Sequence, residues 1–206
     1  AEVAHREAVK RTRLITRAGF PALKTLEAFD RRAVQLPASL TWADLETGTY
    51  LTAHRNLVCY GPVGTGKSHL GIALGLRACE AGLAVRFFTV TDLVVRLTEA
   101  KRAGTLERVF QDLRRTELLI LDEWGYLPID REGAQLLFRV VADSYETRSL
   151  IITTNLEFSK WGTVLTDDQM AAAILDRLAH HGHLLLFQGE SYRMTHALMR
   201  DGYSEG

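Results

Sequence analysis

The chain has 206 residues, of which 47% are hydrophobic and 24% are charged, and its formal net charge at pH 7 is zero. These values are typical of one globular domain with a sizeable core. Because the chain as a whole is not a polycation, any affinity for nucleic acid must come from local basic patches. No apolar run is as long as a membrane span and no signal peptide is visible, so we expect a cytoplasmic protein without a membrane partner. Cys59 and Cys79 fall within apolar elements and are expected to be buried free thiols.

The N-terminal segment, residues 1–37, is predicted to be a basic helix followed by an irregular lead-in. The helix is expected to end before Pro21, because the residue that precedes a proline avoids the helical conformation. Its basic side chains can face solvent or contact phosphates, and we favour the solvated face. Residues 38–206 are predicted to form the second part, a single domain that begins with a helix over 39–54.

The most specific motif lies between an apolar run at Leu57–Tyr60 and a helical pattern that starts near Gly66. It reads G-x-x-x-x-G-K-S, in the strand–loop–helix context that a phosphate-binding loop requires. Its glycines let the backbone turn tightly and direct N–H groups at phosphate oxygens, and the helix adds its positive dipole end. Lys67 can reach the β- and γ-phosphates, and the Ser68 hydroxyl can ligate Mg²⁺. The predicted nucleotide-binding residues are Gly61, Pro62, Val63, Gly64, Thr65, Gly66, Lys67, Ser68 and His69.

Strands and helices alternate along the rest of the chain. Apolar runs predict strands at Ala84–Thr89, Glu117–Asp122, Leu150–Thr154 and His183–Phe187. Helical periodicity predicts a helix capped by Thr91-Asp92 and ending near Ala103, a second over 106–113, and two more at Glu132–Tyr145 and at Asp167–His180, the last capped by Thr166. This alternation predicts an α/β fold with a mostly parallel sheet covered by helices on both faces.

Two adjacent acids, Asp122 and Glu123, end the apolar strand at Leu118–Leu121 and give it the form of a Walker B motif. Because ligands of open α/β sheets bind at the carboxyl ends of the strands, we expect both acids to lie at the nucleotide site. Asp122 would hold Mg²⁺ directly or through water, and Glu123 would polarise the attacking water. The alternative is a pair of surface acids that cap a strand. The P-loop motif in the same chain disfavours this alternative.

Two further side chains are candidates for the same site. Asn155 ends the next strand and can reach a γ-phosphate or the attacking water, although asparagine is common where strands end. Arg177 falls on the apolar side of its helix, where it needs a partner. That partner is either a local carboxylate, Asp176 or Asp167, or a phosphate bound by a neighbouring subunit.

Residues 93–115 hold six basic and three acidic side chains, an excess of three positive charges in a neutral chain. No constellation that would read base edges is visible, so we expect phosphate contacts with duplex DNA that are nearly independent of sequence. The alternative is a pair of solvated helices.

Taken together, these residues resemble an AAA+ ATPase, and more narrowly the IstB-type transposition helper ATPases of bacterial insertion sequences. The segments that carry the resemblance follow one another along most of the chain, at 20–27, 61–70, 118–126, 152–156, 175–178 and 189–193. The P-loop is generic. Leu175-Asp176-Arg177-Leu178 and Gly189-Glu190-Ser191-Tyr192-Arg193 are more particular to this family and to the related DnaC-type helicase loaders.

The resemblance implies a P-loop NTPase of AAA+ type, with a minimal or absent lid domain, that binds ATP and Mg²⁺ and hydrolyses ATP to ADP and phosphate. It implies Walker A at 61–68 and metal ligation by Ser68 and Asp122. The catalytic residues that it implies are Lys67, Glu123, Asn155 as sensor 1 and Arg177 as an arginine finger; Arg193 is a candidate second sensor for the nucleotide.

The partners that the resemblance implies are duplex DNA, a transposase and other copies of the chain. The copies would form a ring or filament with ATP between subunits, and the assembly would assist the transposase in selecting or delivering target DNA. It also implies a small N-terminal domain that docks onto the transposase, of which this chain holds at most the last helix.

Other functions stay open at this point. A replicative helicase loader of the DnaC type shares the same core. A small-molecule kinase would need an acceptor pocket and an arginine-bearing lid, and the adjacent acids Asp122 and Glu123 fit hydrolysis better. A nucleotide switch without turnover is disfavoured because Glu123 is intact.

Overall fold

The computed structural model describes residues 2–189 and residue 191 of the chain. Within them, one six-stranded sheet has the strand order β1-β6-β2-β5-β4-β3. The strands are β1 (Val34–Gln35), β2 (Asn56–Tyr60), β3 (Val85–Thr89), β4 (Leu118–Trp124), β5 (Ser149–Thr154) and β6 (Gly182–Phe187). All neighbouring strands are parallel except β1, which runs antiparallel to β6 at one edge. The predicted α/β fold with a mostly parallel sheet is confirmed.

Helices cover both faces of this sheet. They are α1 (Glu2–Ala18), α2 (Trp42–Thr47), α3 (Thr49–Thr52), α4 (Lys67–Glu80), α5 (Val90–Arg102), α6 (Leu106–Arg114), α7 (Arg131–Ser144), α8 (Trp161–Leu165) and α9 (Asp168–His180), with 3-10 turns at Arg31–Ala33 and Phe158–Lys160. None of these helices is both long enough and apolar enough to cross a lipid bilayer.

The sheet separates two hydrophobic cores because successive strand side chains point to opposite faces. On β4, Leu118 and Ile120 face the core that contains α1 and α4, whereas Leu119 and Leu121 face the core that contains α5 to α9. All four side chains are fully buried. Burial on both faces explains why the inner strands read as continuous apolar runs in the sequence.

Both cysteines lie in the first of these cores as free thiols, as predicted. Burial raises the pKa of the Cys59 thiol to about 12 and that of Cys79 to about 11. Both sulfurs therefore stay protonated at neutral pH, and a protonated thiol is a poor nucleophile and metal ligand.

Several helix boundaries differ from the predictions. The helix expected over 39–54 is two short helices, because Gly48 between them adopts a left-handed backbone with φ 76°. Helix α5 begins earlier than expected, since the Thr89 side chain, rather than Thr91-Asp92, accepts the backbone N–H of the first turn. Helix α9 is capped by Asp167 and not by Thr166, whose hydroxyl instead donates to the Leu165 carbonyl.

Two elements were not predicted at all. Strand β1 has only two residues, too few for a visible period, and it forms because Val34 and Gln35 pair with Phe187 and Leu186 of β6. Helix α8 has five residues and is held by burial of Trp161 and Leu165. The division of the chain at residue 37 stays a prediction, and any lid that continues past residue 191 lies outside the described part of the chain.

Candidate functional site

The loop between β2 and α4 has the conformation that a phosphate-binding loop needs. Gly64 and Gly66 have φ values of 79° and 97°, which side-chain-bearing residues rarely adopt. Gly61 is required for space, since a Cβ atom there would lie 2.3 Å from the Phe187 carbonyl oxygen. The first turn of α4 follows Gly66 without a side-chain cap. Its N–H groups and its dipole are therefore directed at the loop, where they favour an anion.

Lys67 is the first residue of α4, and its side chain contacts this loop. It is 9% exposed, and its ammonium donates to the Gly61 carbonyl at 2.8 Å and to the Pro62 carbonyl at 2.5 Å. Thr65 also donates to the Pro62 carbonyl, at 2.8 Å. These contacts hold a cation in the concave side of the loop. The arrangement fits the polyphosphate of a nucleotide, which would offer stronger acceptors than backbone carbonyls.

The other predicted loop residues have less specific positions. Val63 is 56% exposed at the tip of the loop. His69 lies on the first turn of α4, where its Nε2 is 2.9 Å from the Thr25 carbonyl oxygen and its ring meets Phe29 edge-on. His69 therefore connects the P-loop helix to the N-terminal segment.

Ser68 and Asp122 are brought together from α4 and β4. The Ser68 hydroxyl donates to Asp122 Oδ1 at 2.8 Å, and Asp122 is 6% exposed. A hydroxyl and a carboxylate side by side are the oxygen ligands that Mg²⁺ prefers, usually together with waters and substrate phosphates. The two residues thus fit the magnesium site that the sequence predicts.

Glu123 occupies a bulge in β4. The pairs Leu121–Ile152 and Trp124–Thr154 are three residues apart on β4 but two apart on β5, so β4 carries one extra residue. Glu123 has a left-handed backbone with φ 60°, and its side chain is exposed. The bulge therefore takes Glu123 out of the regular alternation of the strand and presents it at the carboxyl edge of the sheet.

Thr153 is a site residue that the sequence reasoning missed. Its hydroxyl donates to Asp122 Oδ1 and accepts the Glu123 backbone N–H at 3.0 Å. The next residue, Thr154, donates to the Trp124 carbonyl at 2.8 Å on the other side of the bulge. The signal in the sequence was the pair of threonines before Asn155, but their role depends on the register of β5 against β4.

Asn155 follows β5 directly and is exposed. Because β5 lies between β2 and β4 in the sheet, Asn155 stands between the P-loop after β2 and the acids at the end of β4. The topology thus brings this residue to the same edge as Lys67 and Glu123.

Arg177 lies on α9, in the core on the opposite face of the sheet from α4. It is half-buried, donates to the Ala173 carbonyl at 2.9 Å and rests 5.2 Å from the ring centre of Phe138. Of the two alternatives for its partner, the local carboxylate is not found, because Arg177 forms no ion pair among the described residues. Asp167 instead caps the helix by accepting the Met170 N–H.

The chain after β6 returns to the P-loop. A Cβ atom on Gly64 would lie 2.0 Å from Ser191 Oγ, so the two residues are in close contact. Arg193, the predicted second sensor, lies outside the described residues.

Comparisons with known proteins agree with this geometry. The IstB-like ATP binding protein family matches residues 1–199. An ATP-binding protein assigned to the insertion sequence IS21 of Pseudomonas aeruginosa is 42% identical over 188 residues, which cover 87% of this chain and 68% of that protein. Its counterpart from the insertion sequence IS5376 of Geobacillus stearothermophilus is 35% identical over 201 residues, covering 98% of this chain and 80% of that protein.

Solved structures give the fold. The DnaC helicase loader superposes with a TM-score of 0.61 at 20% identity and covers 74% of this chain and 92% of its own. AMPPCP-bound DnaA from Aquifex aeolicus superposes with a TM-score of 0.66 at 21% identity and covers 85% of this chain and 53% of its own. The chain therefore belongs to the IstB-like ATP-binding protein family and has the AAA+ form of the P-loop fold.

Proposed function

We propose that this chain is an ATPase that hydrolyses ATP to ADP and phosphate, assembles with other copies on duplex DNA, and assists a transposase in selecting or delivering target DNA. The observation that carries the proposal is the junction of Ser68, Asp122, Thr153 and Glu123 beside an uncapped P-loop helix. A binding site alone needs no second acid in a strained bulge.

In this proposal the loop binds ATP and the two acids divide the chemistry. The loop N–H groups and Lys67 would hold the phosphates. Ser68 and Asp122 would hold Mg²⁺, which would neutralise the charge that builds up on the phosphate oxygens. The Glu123 carboxylate polarises a water that attacks the γ-phosphorus as the bond to ADP breaks. Asn155, between the two motifs, orients that water or the γ-phosphate.

Arg177 acts on ATP bound by a neighbouring copy. Its helix packs on the opposite face of the sheet from the P-loop helix of its own chain, and a carboxylate partner within the described residues is lacking. An arginine supplied in trans stabilises the charge of the transition state and makes hydrolysis depend on assembly. ATP at subunit interfaces would then couple the nucleotide to the formation of a ring or filament.

Duplex DNA is the proposed surface for that assembly. Arg96, Arg102 and Arg108 on α5 and α6 are exposed, and none of them belongs to the ion pairs found within residues 2–189 and 191. Cations outside ion pairs are suited to backbone phosphates, and contacts of this kind carry no base preference.

The choice of a transposase as partner rests on the relatives. The names of the proteins at 42% and 35% identity assign them to insertion sequences. The likeness to the DnaC helicase loader, at 20% identity, concerns the fold alone. A helicase loader is therefore the second candidate.

The experiment that tests the proposal measures ATP turnover with Mg²⁺, with and without duplex DNA. We expect turnover that rises when DNA of any sequence is added, because assembly brings Arg177 to the neighbouring site. Absence of turnover in both conditions would contradict the ATPase, and transfer of phosphate to a small molecule would favour the kinase.

A further inference from the structure

A small cavity lies at the β3 edge of the sheet, between α1, the start of β3 and the end of α6. Its charged lining residues are Arg17, Arg86, Arg115 and Asp112. Strand β3 is the last in the sheet, and β5 and β4 separate it from β2 and the P-loop. The cavity is thus remote from the candidate nucleotide site and has no role in it.

Arg86 lines this cavity and forms no ion pair within the described residues. Its Nε atom is buried and makes no hydrogen bond to any described residue. Its guanidinium carbon lies 5.0 Å from the ring centre of Phe88, and that of Arg96 lies 5.8 Å from the same ring. Burial, followed by the charges of Arg96 and Arg17, lowers the pKa of Arg86, and the nearby Asp112 carboxylate only partly offsets this. Like charges held together at a half-buried site cost free energy unless an anion joins them.

We define the β3-edge cluster as Arg17, Arg86, Arg96 and Arg115. Across the part of the chain that the structure describes, the first three belong to no ion pair, and Arg115 is 3.9 Å from Asp112. Four arginines against one acid leave three uncompensated positive charges. The cluster draws on α1 and β3 as well as on α5 and the end of α6.

Other basic residues of the same helices are neutralised by acids from neighbouring elements. Lys101 is 2.6 Å from Glu132. Arg114 is 2.9 Å from Asp143. Two of the positive charges counted over 93–115, those of Lys101 and Arg114, are therefore paired with acids outside the segment. The β3-edge cluster in turn includes Arg17 and Arg86, which lie outside that segment.

We infer that the β3-edge cluster binds phosphodiester groups of the duplex DNA backbone. The inference rests on the DNA binding proposed above and names a contact site for it. Guanidinium groups match phosphate oxygens with paired hydrogen bonds, and arginine is well suited to bind phosphate for this reason. Arg17, Arg96 and Arg115 are exposed, so the cluster is open to an extended polyanion. Its charges span four elements, which is wider than a single small anion requires.

The test measures the affinity of the full chain for a fluorescent duplex by anisotropy over a series of salt concentrations. Arg86→Gln and Arg17→Gln should each weaken binding roughly tenfold and lower the salt slope by about one unit, because each removes one phosphate contact. The matched control is Arg11→Gln, an exposed arginine on the same helix as Arg17 and about 240° around its axis. It should change affinity by less than about twofold.

Arg17 is exposed, so its variant tests the inference even if Arg86→Gln unfolds. Binding of a fluorescent ATP analogue should be unchanged in all three variants. If the unmodified chain binds DNA and neither cluster variant alters affinity or slope, the inference is overturned while the proposed function stands. If the control weakens binding as much as the cluster variants, the cluster is no special site and the inference is also overturned. If the unmodified chain binds no DNA at any salt concentration, both proposals fail.

Discussion

Thr153 holds both acids of the candidate site with one hydroxyl group. It donates to the Asp122 carboxylate and accepts the Glu123 N–H, and it is 2% exposed. The donated bond orients the carboxylate that would hold Mg²⁺, and the accepted bond fixes the backbone of the bulge. Thr153 is thus a positioning residue that acts through its neighbours.

Replacing Thr153 with valine should therefore lower ATP hydrolysis more than ATP binding. The buried Asp122 carboxylate loses a donor and the Glu123 N–H loses its acceptor, which we expect to reduce turnover roughly tenfold to a hundredfold. The Mg²⁺ concentration for half-maximal turnover should rise. Turnover and nucleotide affinity measured over a magnesium series check both expectations.

The control for this change is Thr153→Ser, which keeps the hydroxyl and should keep most of the activity. A serine variant as impaired as the valine variant would mean that packing, rather than the two hydrogen bonds, is what Thr153 supplies.

The sequence predicts those strands and loops that a local pattern of residues determines. The runs at Leu118–Leu121 and at Ile151–Thr154 predict strands because both faces are buried. The P-loop follows from its motif. The bulge at Glu123 is not predictable in this way, since it exists only in the pairing of β4 with β5. The role of Thr153 has the same origin.

Long-range pairing accounts for the remaining differences. Lys101 meets Glu132, 31 positions along the chain and on another helix, so a local count of charges misses their contact. Likewise β1 depends on Phe187 and Leu186, far along the chain. Arg177 was placed correctly on the inner side of its helix, but its contact with Phe138 required the packing of α9 on α7.

The cap of α9 gives a prediction at the scale of elements, because this helix positions Arg177. Asp167 accepts the Met170 N–H at 2.9 Å, and its replacement by alanine leaves that N–H without an acceptor. We expect Asp167→Ala to lower the free energy of unfolding by about 1 kcal/mol. Denaturant unfolding monitored by circular dichroism measures the change.

Thr166→Gly is the matched control. Thr166 has a left-handed backbone with φ 56°, which glycine adopts without strain, so this variant should be as stable as the unmodified chain or more so. A greater loss of stability at Thr166 than at Asp167 would contradict the assignment of the cap.

At the scale of the whole molecule, the nucleotide site is proposed to need two copies of the chain. One copy would supply the P-loop, Asp122 and Glu123, and the other would supply Arg177 from the opposite face of its sheet. An assembly of this kind would turn over ATP only where subunits meet.

Arg177→Ala protein should therefore bind ATP but hydrolyse little of it. Mixed with Lys67→Ala protein, which has an intact Arg177, it should regain part of its activity, because some interfaces then combine a working P-loop with a working arginine. Turnover measured across mixing ratios should pass through a maximum. If every mixture has only the summed activity of the two separate variants, Arg177 acts within its own subunit, where it contacts Phe138.

In the proposed mechanism the loop and the bulge have separate tasks, since the loop binds ATP and Glu123 in the bulge promotes its hydrolysis. The most direct test measures ATP affinity and turnover side by side for the unmodified chain, Lys67→Ala and Glu123→Gln. Lys67→Ala should weaken ATP binding by roughly tenfold or more, since a charged donor to the phosphates is lost. Glu123→Gln should bind ATP normally, but its turnover should fall by about a hundredfold or more, since only the polarisation of water is lost. Equal loss of binding in both variants, or normal turnover in Glu123→Gln, would contradict the account.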